Sequence, residues 1–271
     1  MNNLIIYCVT NKKSKLLEQL PFKLVGVGKE KFPPKYLNCS NKINIQTKEK
    51  HYSELTFHYW FWKNEISLLN NDTWIGFCQK RRFWVKENRK IQSFYDLKKN
   101  IITRIPIQWN KYDSILCKPI NVNNPKKMKM IKRGIKNILK DPTILFIKKK
   151  QTIKLHFDMH HGYGVLDKAI DCMNKKDREE FRKFVSENSI FNPHIMCISK
   201  KLLLKRWFHD LFDWLFKCEK IFGLKDLVGY DQQRLYAYFA ERYLPFWFYK
   251  YSKVKESNWI FYDPLKRNFN N

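Results

Sequence analysis

Short apolar runs alternate along the chain with longer segments in which hydrophobic residues recur at helical spacing. Runs of strand length occur at residues 4–9, 22–27, 74–78 and 112–117. Residues 167–188 and 201–222 show helical spacing, with polar positions between the apolar ones. Such alternation is typical of an α/β fold. The pattern therefore predicts a single Rossmann-like domain over residues 1–271 with a mostly parallel central sheet.

Residues 51–64 form the most aromatic of the predicted helices. Apolar side chains cover nearly every face of it: Leu55, Phe57, Tyr59, Trp60, Phe61 and Trp62. We therefore predict that this helix is buried on almost all sides. A charge on such a helix must be paired or point into a site, because burying it alone is costly. Glu54 and Lys63 are thus candidate functional residues, with a buried salt bridge as the alternative for Glu54.

Basic residues follow the apolar strand at residues 74–78, which leads directly into Gln79, Lys80, Arg81 and Arg82. In open α/β sheets, ligands bind outside the carboxyl ends of the strands. The guanidinium fork matches phosphate oxygens bidentately. This arrangement predicts a phosphate site, and the alternative is three more charges on a basic surface.

The segment from residue 126 to residue 150 is amphipathic and very basic. We predict one helix over residues 126–140, ended by Pro142, and then a strand over residues 144–147 and three lysines. Its apolar stripe consists of Met128, Ile131, Ile135, Ile138 and Leu139. Such a helix suits an anionic membrane surface or the ordinary surface of a basic protein. The aromatic and basic stretch after Tyr236 suits a membrane interface, a sugar-stacking surface or a packed tail.

Composition narrows the classes of partner and compartment. The 271 residues include 53 Lys plus Arg against 25 Asp plus Glu, a net charge of +28, which favours nucleic acid, nucleotide phosphates or an anionic membrane. The seven cysteines form no CxxC pair, which argues against a disulfide framework or a zinc site and suits a reducing compartment. The amino terminus is interpreted as a first strand rather than a signal peptide. No run is long enough to span a bilayer, so we expect a cytoplasmic protein, soluble or peripheral to a membrane.

Several motifs resemble a bacterial family first catalogued as domain of unknown function 4422. They are Tyr52-x-Glu54-Leu55-Thr56, Tyr59-Trp60-x-Trp62-Lys63-Asn64, Ile75-Gly76-Phe77 and Arg81-Arg82-Phe83, with weaker matches over most of the chain. That family occurs in capsule and other surface-polysaccharide clusters and is regarded as glycosyltransferase-like. The resemblance implies one domain of GT-A type, one of the two common glycosyltransferase folds.

Three departures from the family pattern qualify this resemblance. Gln79-Lys80 replaces the usual His-Tyr, and Lys42-Ile43 replaces a Gly-Asp pair. Residues 119–155 are more basic than the family norm and are interpreted as a basic insertion. These departures leave open a non-catalytic, sugar-binding relative.

The resemblance places a nucleotide-sugar donor at the strongest motifs. The implied donor-binding residues are Thr10, Tyr52, Glu54, Lys63, Lys80, Arg81 and Arg82. Many GT-A enzymes hold a divalent cation with an Asp-x-Asp motif, which this sequence lacks. We therefore name no metal ligands and expect Lys80, Arg81 and Arg82 to neutralise the diphosphate directly. No cofactor is then required, although Mn²⁺ or Mg²⁺ is possible.

Catalysis with inversion needs a base for the acceptor hydroxyl. The catalytic candidates are Asp167, His161 and Glu241, and Asn192, Asp231 and Arg234 are assigned to the acceptor or to support of the site. The His160-His161 pair has a polar loop as its alternative interpretation. Glu241 has an internal ion pair with Arg242 as its alternative.

Together these observations predict a hexosyltransferase that uses a nucleoside-diphosphate donor. By analogy, the donor is a UDP-hexose such as UDP-galactose. The acceptor is a growing capsule, lipopolysaccharide or other surface glycan, or a lipid-linked oligosaccharide, at the inner face of the membrane. The alternative is a nucleic-acid-binding protein. Against it, no nucleic-acid motif is present and lysine is dispersed along the whole chain.

Overall fold

The computed structural model describes residues 3–87 and 90–269. These residues fall into two compact units. The sheet unit consists of the described residues within 1–118, 194–209 and 248–271, and the helical unit consists of residues 119–193 and 210–247. A single domain over residues 1–271 stays a prediction.

The strands of the described residues are mostly short. They are β1 (Leu4–Thr10), β2 (Lys23–Gly26), β3 (Leu37–Asn38), β4 (Trp74–Gln79), β5 (Arg82–Trp84), β6 (Ser114–Cys117), β7 (Ile120–Asn121), β8 (Ile190–Phe191), β9 (Cys197–Lys200), β10 (Val254–Ser257) and β11 (Trp259–Phe261).

The α-helices range from single turns to six turns. They are α1 (Glu49–Tyr52), α2 (Leu55–Asn64), α3 (Phe94–Asn100), α4 (Lys127–Arg133), α5 (Ile135–Lys140), α6 (Ile153–His161), α7 (Val165–Asp171), α8 (Lys175–Glu187), α9 (Lys201–Phe222), α10 (Tyr230–Gln233) and α11 (Leu235–Tyr251). No helix of the described residues is long and apolar enough to cross a bilayer.

The main sheet of the sheet unit has the strand order β10-β6-β9-β4-β1-β2-β3. Strand β9 is antiparallel to both β4 and β6, and the other strands of this path run in one direction. The predicted α/β class with a mostly parallel sheet is confirmed. From β1 the chain adds β2 and β3 on one side and β4 on the other. Such a reversal of strand order marks the crevice where ligands bind in open α/β sheets.

Aromatic packing anchors α2 to this sheet. The ring centroids of Phe57 and Phe61 lie 5.2 Å and 5.0 Å from that of Tyr7 on β1. The opposite face is less buried than the sequence predicts: Tyr59 and Trp62 are half-buried and Lys63 is exposed. The expectation of a helix buried on almost all sides is therefore wrong, because only one face of α2 contacts the sheet.

A backbone break precedes α2. Ser53 has φ 52° and ψ −129°, a conformation that non-glycine residues rarely adopt. It separates α1 from α2, so the predicted continuous helix over residues 51–64 is two helices. The Ser53 carbonyl accepts hydrogen bonds from the backbone N–H and the side-chain hydroxyl of Thr56, at 3.2 Å and 2.8 Å. These bonds hold the turn that presents Glu54.

Aromatic residues also form the core of the helical unit. Phe181 packs edge-on against Trp214 and Tyr243, with ring centroids 5.8 Å and 5.3 Å apart. Tyr243 donates to Asp177 at 2.7 Å. Phe246 and Trp247 are buried, so most of the aromatic stretch after Tyr236 is packed rather than presented to a membrane or a sugar.

The basic segment, residues 126–150, departs most from its predicted conformation. Gly134 divides the expected helix into α4 and α5. The strand predicted at residues 144–147 is absent, and its first two residues belong to a 3₁₀ helix, Pro142–Leu145. Met130, outside the predicted apolar stripe, is the residue of α4 that reaches the core. Met128, Ile131, Ile135 and Leu139 are instead exposed, as are Phe146 and Ile147.

Candidate functional site

The carboxyl ends of β1 and β4 lie side by side in the sheet unit. Val9 pairs with Gln79, and the Lys80 amide donates to the Val9 carbonyl at 3.1 Å. On the other side of β1, the amide of Val27 donates to the Thr10 carbonyl at 2.9 Å. Parallel register therefore brings Thr10 and Lys80, which are 70 residues apart in sequence, to one edge of the sheet.

A tight turn at this edge presents the predicted cations. Gln79 pairs with Arg82 across an antiparallel ladder, which leaves Lys80 and Arg81 as a two-residue turn between β4 and β5. The chain thus reverses direction at the end of β4, and Arg82 starts β5. The turn holds the Lys80 and Arg81 backbone at a fixed position above the end of β4.

Gln79 connects Glu54 to Arg82. Its amide nitrogen donates to the Glu54 carboxylate, and its amide oxygen accepts from Nη1 of Arg82 at 2.9 Å. The residue that departs from the family pattern therefore uses both ends of its amide to bridge a carboxylate and a guanidinium. Because Glu54 is only half-buried, this bridge orients Arg82 without the cost of burying a lone charge.

Lys80 and Arg81 are also held by neighbouring side chains. Nζ of Lys80 donates to the Asn11 side-chain oxygen at 2.6 Å, and Nη1 of Arg81 lies 3.4 Å from Asp263. Burial alone would raise the pKa of Asp263, but the backbone N–H groups of Leu265 and Lys266, together with Arg81, lower it. The adjoining cavity is small, about 40 Å³. Sequence reasoning missed Asp263, whose only signal is an Asp-Pro turn near the end of the chain.

The other predicted donor residues lie in different environments. Thr10 is buried, and its hydroxyl bonds locally to the backbone of Lys12. Tyr52 is fully buried. Lys63 lies on the exposed side of α2, with Nζ 3.7 Å from the Trp62 ring centroid, a cation–π contact. Thr10, Lys80 and Arg81 thus meet at the sheet edge, and Glu54 joins them through Gln79 and Arg82.

A chain of ion pairs surrounds Asp167 in the helical unit. Nζ of Lys154 lies 2.9 Å from both Asp158 and Asp167, and Asp167 also faces Arg182 at 3.8 Å. Asp158 is buried, and that burial raises its pKa despite the neighbouring ammonium. Asp167 is more exposed and lies between two cations.

Three histidines of α6 are fixed in neutral forms. His156 Nδ1 contacts Nη2 of Arg242 at 3.2 Å, and His160 Nδ1 contacts Nη1 of Arg133 at 3.2 Å. Because a guanidinium can only donate, both imidazole nitrogens accept. Burial first, then nearby cations, lowers the pKa of His156 to about 3 and of His160 to about 4. Their position on α6 corrects the alternative that the His160-His161 pair is a loop.

His161 has a different set of partners. Its ring stacks on Tyr238 at 3.8 Å between centroids, and Nδ1 donates to the Asp231 carbonyl at 2.7 Å. Burial lowers the pKa of His161 to about 4, although the bond to Asp231 opposes this shift. The Asp231 carbonyl thus bonds directly to His161. The Asp231 carboxylate reaches the adjacent His160 through Arg133.

Glu241 and Arg242 are paired on α11. Arg242 is almost fully buried, and its guanidinium also stacks over Phe191 at 4.3 Å from the ring centroid. Of the remaining acceptor candidates, Asn192 is buried beside β8 and Arg234 follows α10. Neither lines the cavity of the helical unit that lies beside α6.

That cavity measures about 530 Å³. We call it the α6 cavity, and its lining includes Arg133, Ile135, Lys136, Asn137, Asp158, Met159, His160, Gly162, Tyr163, Val228, Gly229, Asp231 and Gln232. Nη1 of Arg133 bridges His160 and Asp231, with 3.0 Å to the carboxylate. Sequence reasoning identified Asp231 and the histidine pair but not the contributions of Arg133 and Lys136.

Comparisons with known proteins agree with the fold. Residues 5–253 match the model of a domain of unknown function, DUF4422. The chain therefore belongs to the DUF4422 family, as its motifs predicted. The apo structure of WbbM, a bifunctional glycosyltransferase, superposes with a TM-score of 0.72 over 96% of this chain at 22% identity. This chain spans 45% of that protein, and the likeness shows a GT-A-like fold. A comparison with curated proteins gives no match.

Proposed function

We propose that this protein is a glycosyltransferase that moves a hexose from a nucleoside-diphosphate donor, most simply UDP-galactose or another UDP-hexose, to a growing surface glycan. One observation carries the proposal: a GT-A-like sheet presents Lys80, Arg81 and Arg82 at the adjoining carboxyl ends of β1 and β4. Ligands of open α/β sheets bind at such a switch point.

The donor step needs charge stabilisation on the departing diphosphate. Lys80, Arg81 and Arg82 supply positive charge, and Asn11, Asp263 and Gln79 hold them in place before the donor arrives. Groups oriented in advance do not have to reorganise as charge develops on the leaving oxygen. Thr10, Tyr52, Glu54 and Lys63 complete the proposed donor site by direct contact or by support of the cations.

The acceptor step needs a base for the attacking hydroxyl. We propose Asp167 or Glu241, with His161 as an orienting group, and add Asp231 because its half-exposed carboxylate lines the α6 cavity. Asn or Gln replacements at each carboxylate test the assignment. The base should be essential for transfer and dispensable for UDP binding. Near-normal turnover in all three variants would place the base elsewhere.

Divalent metal is a separate question for this site. Among residues 3–87 and 90–269, no group of three or more His, Cys, Asp or Glu side chains is arranged to hold a metal ion. We expect turnover to depend little on divalent metal because three cations already face the proposed diphosphate position. Loss of turnover on chelation, restored by Mn²⁺ or Mg²⁺, would contradict this expectation.

The proposed place of work is the inner face of an anionic membrane, where the acceptor is lipid-linked. The basic segment contains ten Lys or Arg residues and one acidic residue. Exposed apolar side chains lie among these charges, and Nζ of Lys127 lies 5.6 Å from the exposed Phe146 ring centroid. Each basic residue near such a surface contributes about 1 kcal/mol.

A thermal-shift screen tests the donor assignment most directly. UDP, GDP, CMP and ADP are compared with and without manganese. A ligand at a hundred times its dissociation constant should stabilise the protein by about 2.7 kcal/mol. Stabilisation by one nucleotide supports the proposal. Salt-sensitive binding to DNA or RNA without any nucleotide effect would instead favour a nucleic-acid-binding protein, which the charge of +28 also suits.

A further inference from the structure

The α6 cavity shares part of its wall with the basic segment. Arg133, Ile135, Lys136 and Asn137 line the cavity at the junction of α4 and α5. Ile135 is 47% exposed and Leu139, one turn further along α5, is 76% exposed. The cavity wall therefore places one apolar side chain, Ile135, next to one lysine, Lys136, and the exposed Leu139 follows on α5.

The polar wall of the cavity contains groups that can both donate and accept hydrogen bonds. Arg133 bridges His160 and Asp231 at 3.2 Å and 3.0 Å, and both members of the ion pair keep about two-fifths of their side-chain surface exposed. A carboxylate accepts and a guanidinium donates, so the pair can satisfy neighbouring hydroxyls of one sugar ring. Gln232 and Asn137 add amides, and the Tyr163 ring adds an aromatic face.

The cavity also carries positive charge that the described residues do not neutralise. Lys136 is exposed, and no carboxylate within residues 3–87 and 90–269 forms an ion pair with it. Lys129 and Arg133 act on the neighbouring His160 strongly enough to help lower its pKa, after burial. This field favours an anionic group on the ligand.

The size of the cavity limits the ligand to a small molecule or a head group. At about 530 Å³ it falls within the range of ordinary ligand sites, about 300 to 1,000 Å³, and exceeds the space that a single phosphate needs. A polyol ring with one phosphate has the required combination of hydroxyls, charge and size. The exposed Ile131, Ile135 and Leu139 suit an attached hydrocarbon chain.

We propose that the α6 cavity binds the phosphate-linked sugar of a lipid-carried acceptor, with Asp231, Arg133 and Gln232 at the sugar hydroxyls and Lys136 at the phosphate. The lipid chain lies along the apolar side chains of α4 and α5. This assignment rests on the proposed glycosyltransferase function and names the acceptor class for it.

Calorimetric titration of the intact protein with four probes tests the assignment. The probes are galactose 1-phosphate, galactose, inorganic phosphate and galactose linked through phosphate to an octyl chain. The octyl probe should bind most tightly, followed by galactose 1-phosphate, with galactose and phosphate weakest. Lys136→Ala should weaken both phosphorylated sugars about tenfold without changing galactose, because a hydrogen bond to a charged group is lost. Gln232→Ala should weaken every sugar probe.

Lys220→Ala is the matched control, since Lys220 is an exposed lysine of the same unit that lines a different cavity. Binding that is absent for every probe, or equal in Lys136→Ala, Gln232→Ala and Lys220→Ala, overturns the inference. The inference is also overturned if inorganic phosphate alone binds as tightly as galactose 1-phosphate. UDP titrated separately reports on the sheet edge. If UDP does not bind but the octyl probe does, the donor assignment fails while the cavity assignment stands.

Discussion

The sheet edge and the α6 cavity use the same kinds of side chain in opposite ways. At the sheet edge, Arg82 is bonded to Gln79, Arg81 is paired with Asp263, and the adjoining cavity is only about 40 Å³. In the helical unit, a cavity of about 530 Å³ retains a lysine that has no ion pair among the described residues. The strongest sequence motif therefore accompanies the smaller cavity.

The difference shows what a short motif encodes. Glu54, Gln79 and Arg82 bond to one another, while Lys80 bonds to Asn11 and Arg81 pairs with Asp263, so each cation after β4 has a partner that orients it. The α6 cavity instead depends on residues from α4, α6 and α10 that are far apart in sequence. Its lining includes Lys136, which is exposed and forms no ion pair among the described residues.

Removing Arg81 and Arg82 together should give the largest effect, a loss of UDP binding. Such a loss would show that the sheet edge depends on its charges. Arg81→Ala with Arg82→Ala should weaken UDP binding at least a thousandfold, about 4 kcal/mol, because two charge-assisted contacts to phosphate are lost. Isothermal titration measures the affinity, and circular dichroism checks the fold. Lys98→Ala, an exposed charge on α3, is the control. Unchanged UDP affinity in the folded double variant would remove the sheet edge from the donor site.

A fall in pH should give the next largest effect, because it should destabilise α6 of the helical unit more than α2 of the sheet unit. On α6, the pKa is about 3 for His156 and about 4 for His160 and His161, against 6.5 in the unfolded chain, and His160 is the most exposed of the three. The unfolded state then binds more protons, so stability is lost as pH falls below about 6.5. Between pH 7 and pH 5, His156 and His161 each cost about 2 kcal/mol, and the more exposed His160 costs less. The raised pKa of Asp158 has the opposite sign and offsets part of this loss at lower pH.

Hydrogen exchange resolved by segment measures this loss. Amides of α6 should lose at least about 4 kcal/mol of protection between pH 7 and pH 5, the sum for His156 and His161. Those of α2 should lose about half as much, because burial lowers the pKa of one histidine there, His58, to about 3. His156→Gln should remove about 2 kcal/mol of the pH dependence of α6. Equal pH dependence in α2 and α6 would contradict the proposed difference.

Binding to anionic membranes should depend on the basic segment. Changing Lys148, Lys149 and Lys150 to Gln should weaken binding to anionic vesicles about a hundredfold, since each lysine contributes about 1 kcal/mol. The matched control changes three other exposed lysines of the helical unit, Lys168, Lys175 and Lys183. Sedimentation should also weaken as salt rises. Equal partitioning into neutral and anionic vesicles would refute the electrostatic explanation.

The smallest expected effect tests the bridge between Glu54 and Arg82. Gln79→Ala should weaken UDP binding about fivefold, about 1 kcal/mol, because Arg82 keeps its charge and loses only one orienting partner. Gln19→Ala, an exposed glutamine of the same unit, is the control. A loss as large as that of the double arginine variant would mean that orientation, rather than charge, dominates donor binding.

Strands and helices with strong periodicity were predictable from the sequence. The strands at residues 4–10 and 74–79 and the helix at residues 201–222 have the predicted positions. The run at residues 144–147 was assigned wrongly, because a short apolar run suits a strand or a helical turn equally. Helix α6 was missed because its histidines and lysine obscure the apolar face.

The sequence by itself determined the family, the α/β class and the placement of adjacent cations after β4, because these depend on local periodicity and on neighbouring residues. The tertiary structure decided which groups meet across long separations, such as Arg81 with Asp263 and Arg133 with Asp231. It also decided that Met130, rather than the predicted stripe, enters the core. Helical periodicity shows which residues share one face of a helix. Which face is buried depends on where the other elements pack against it.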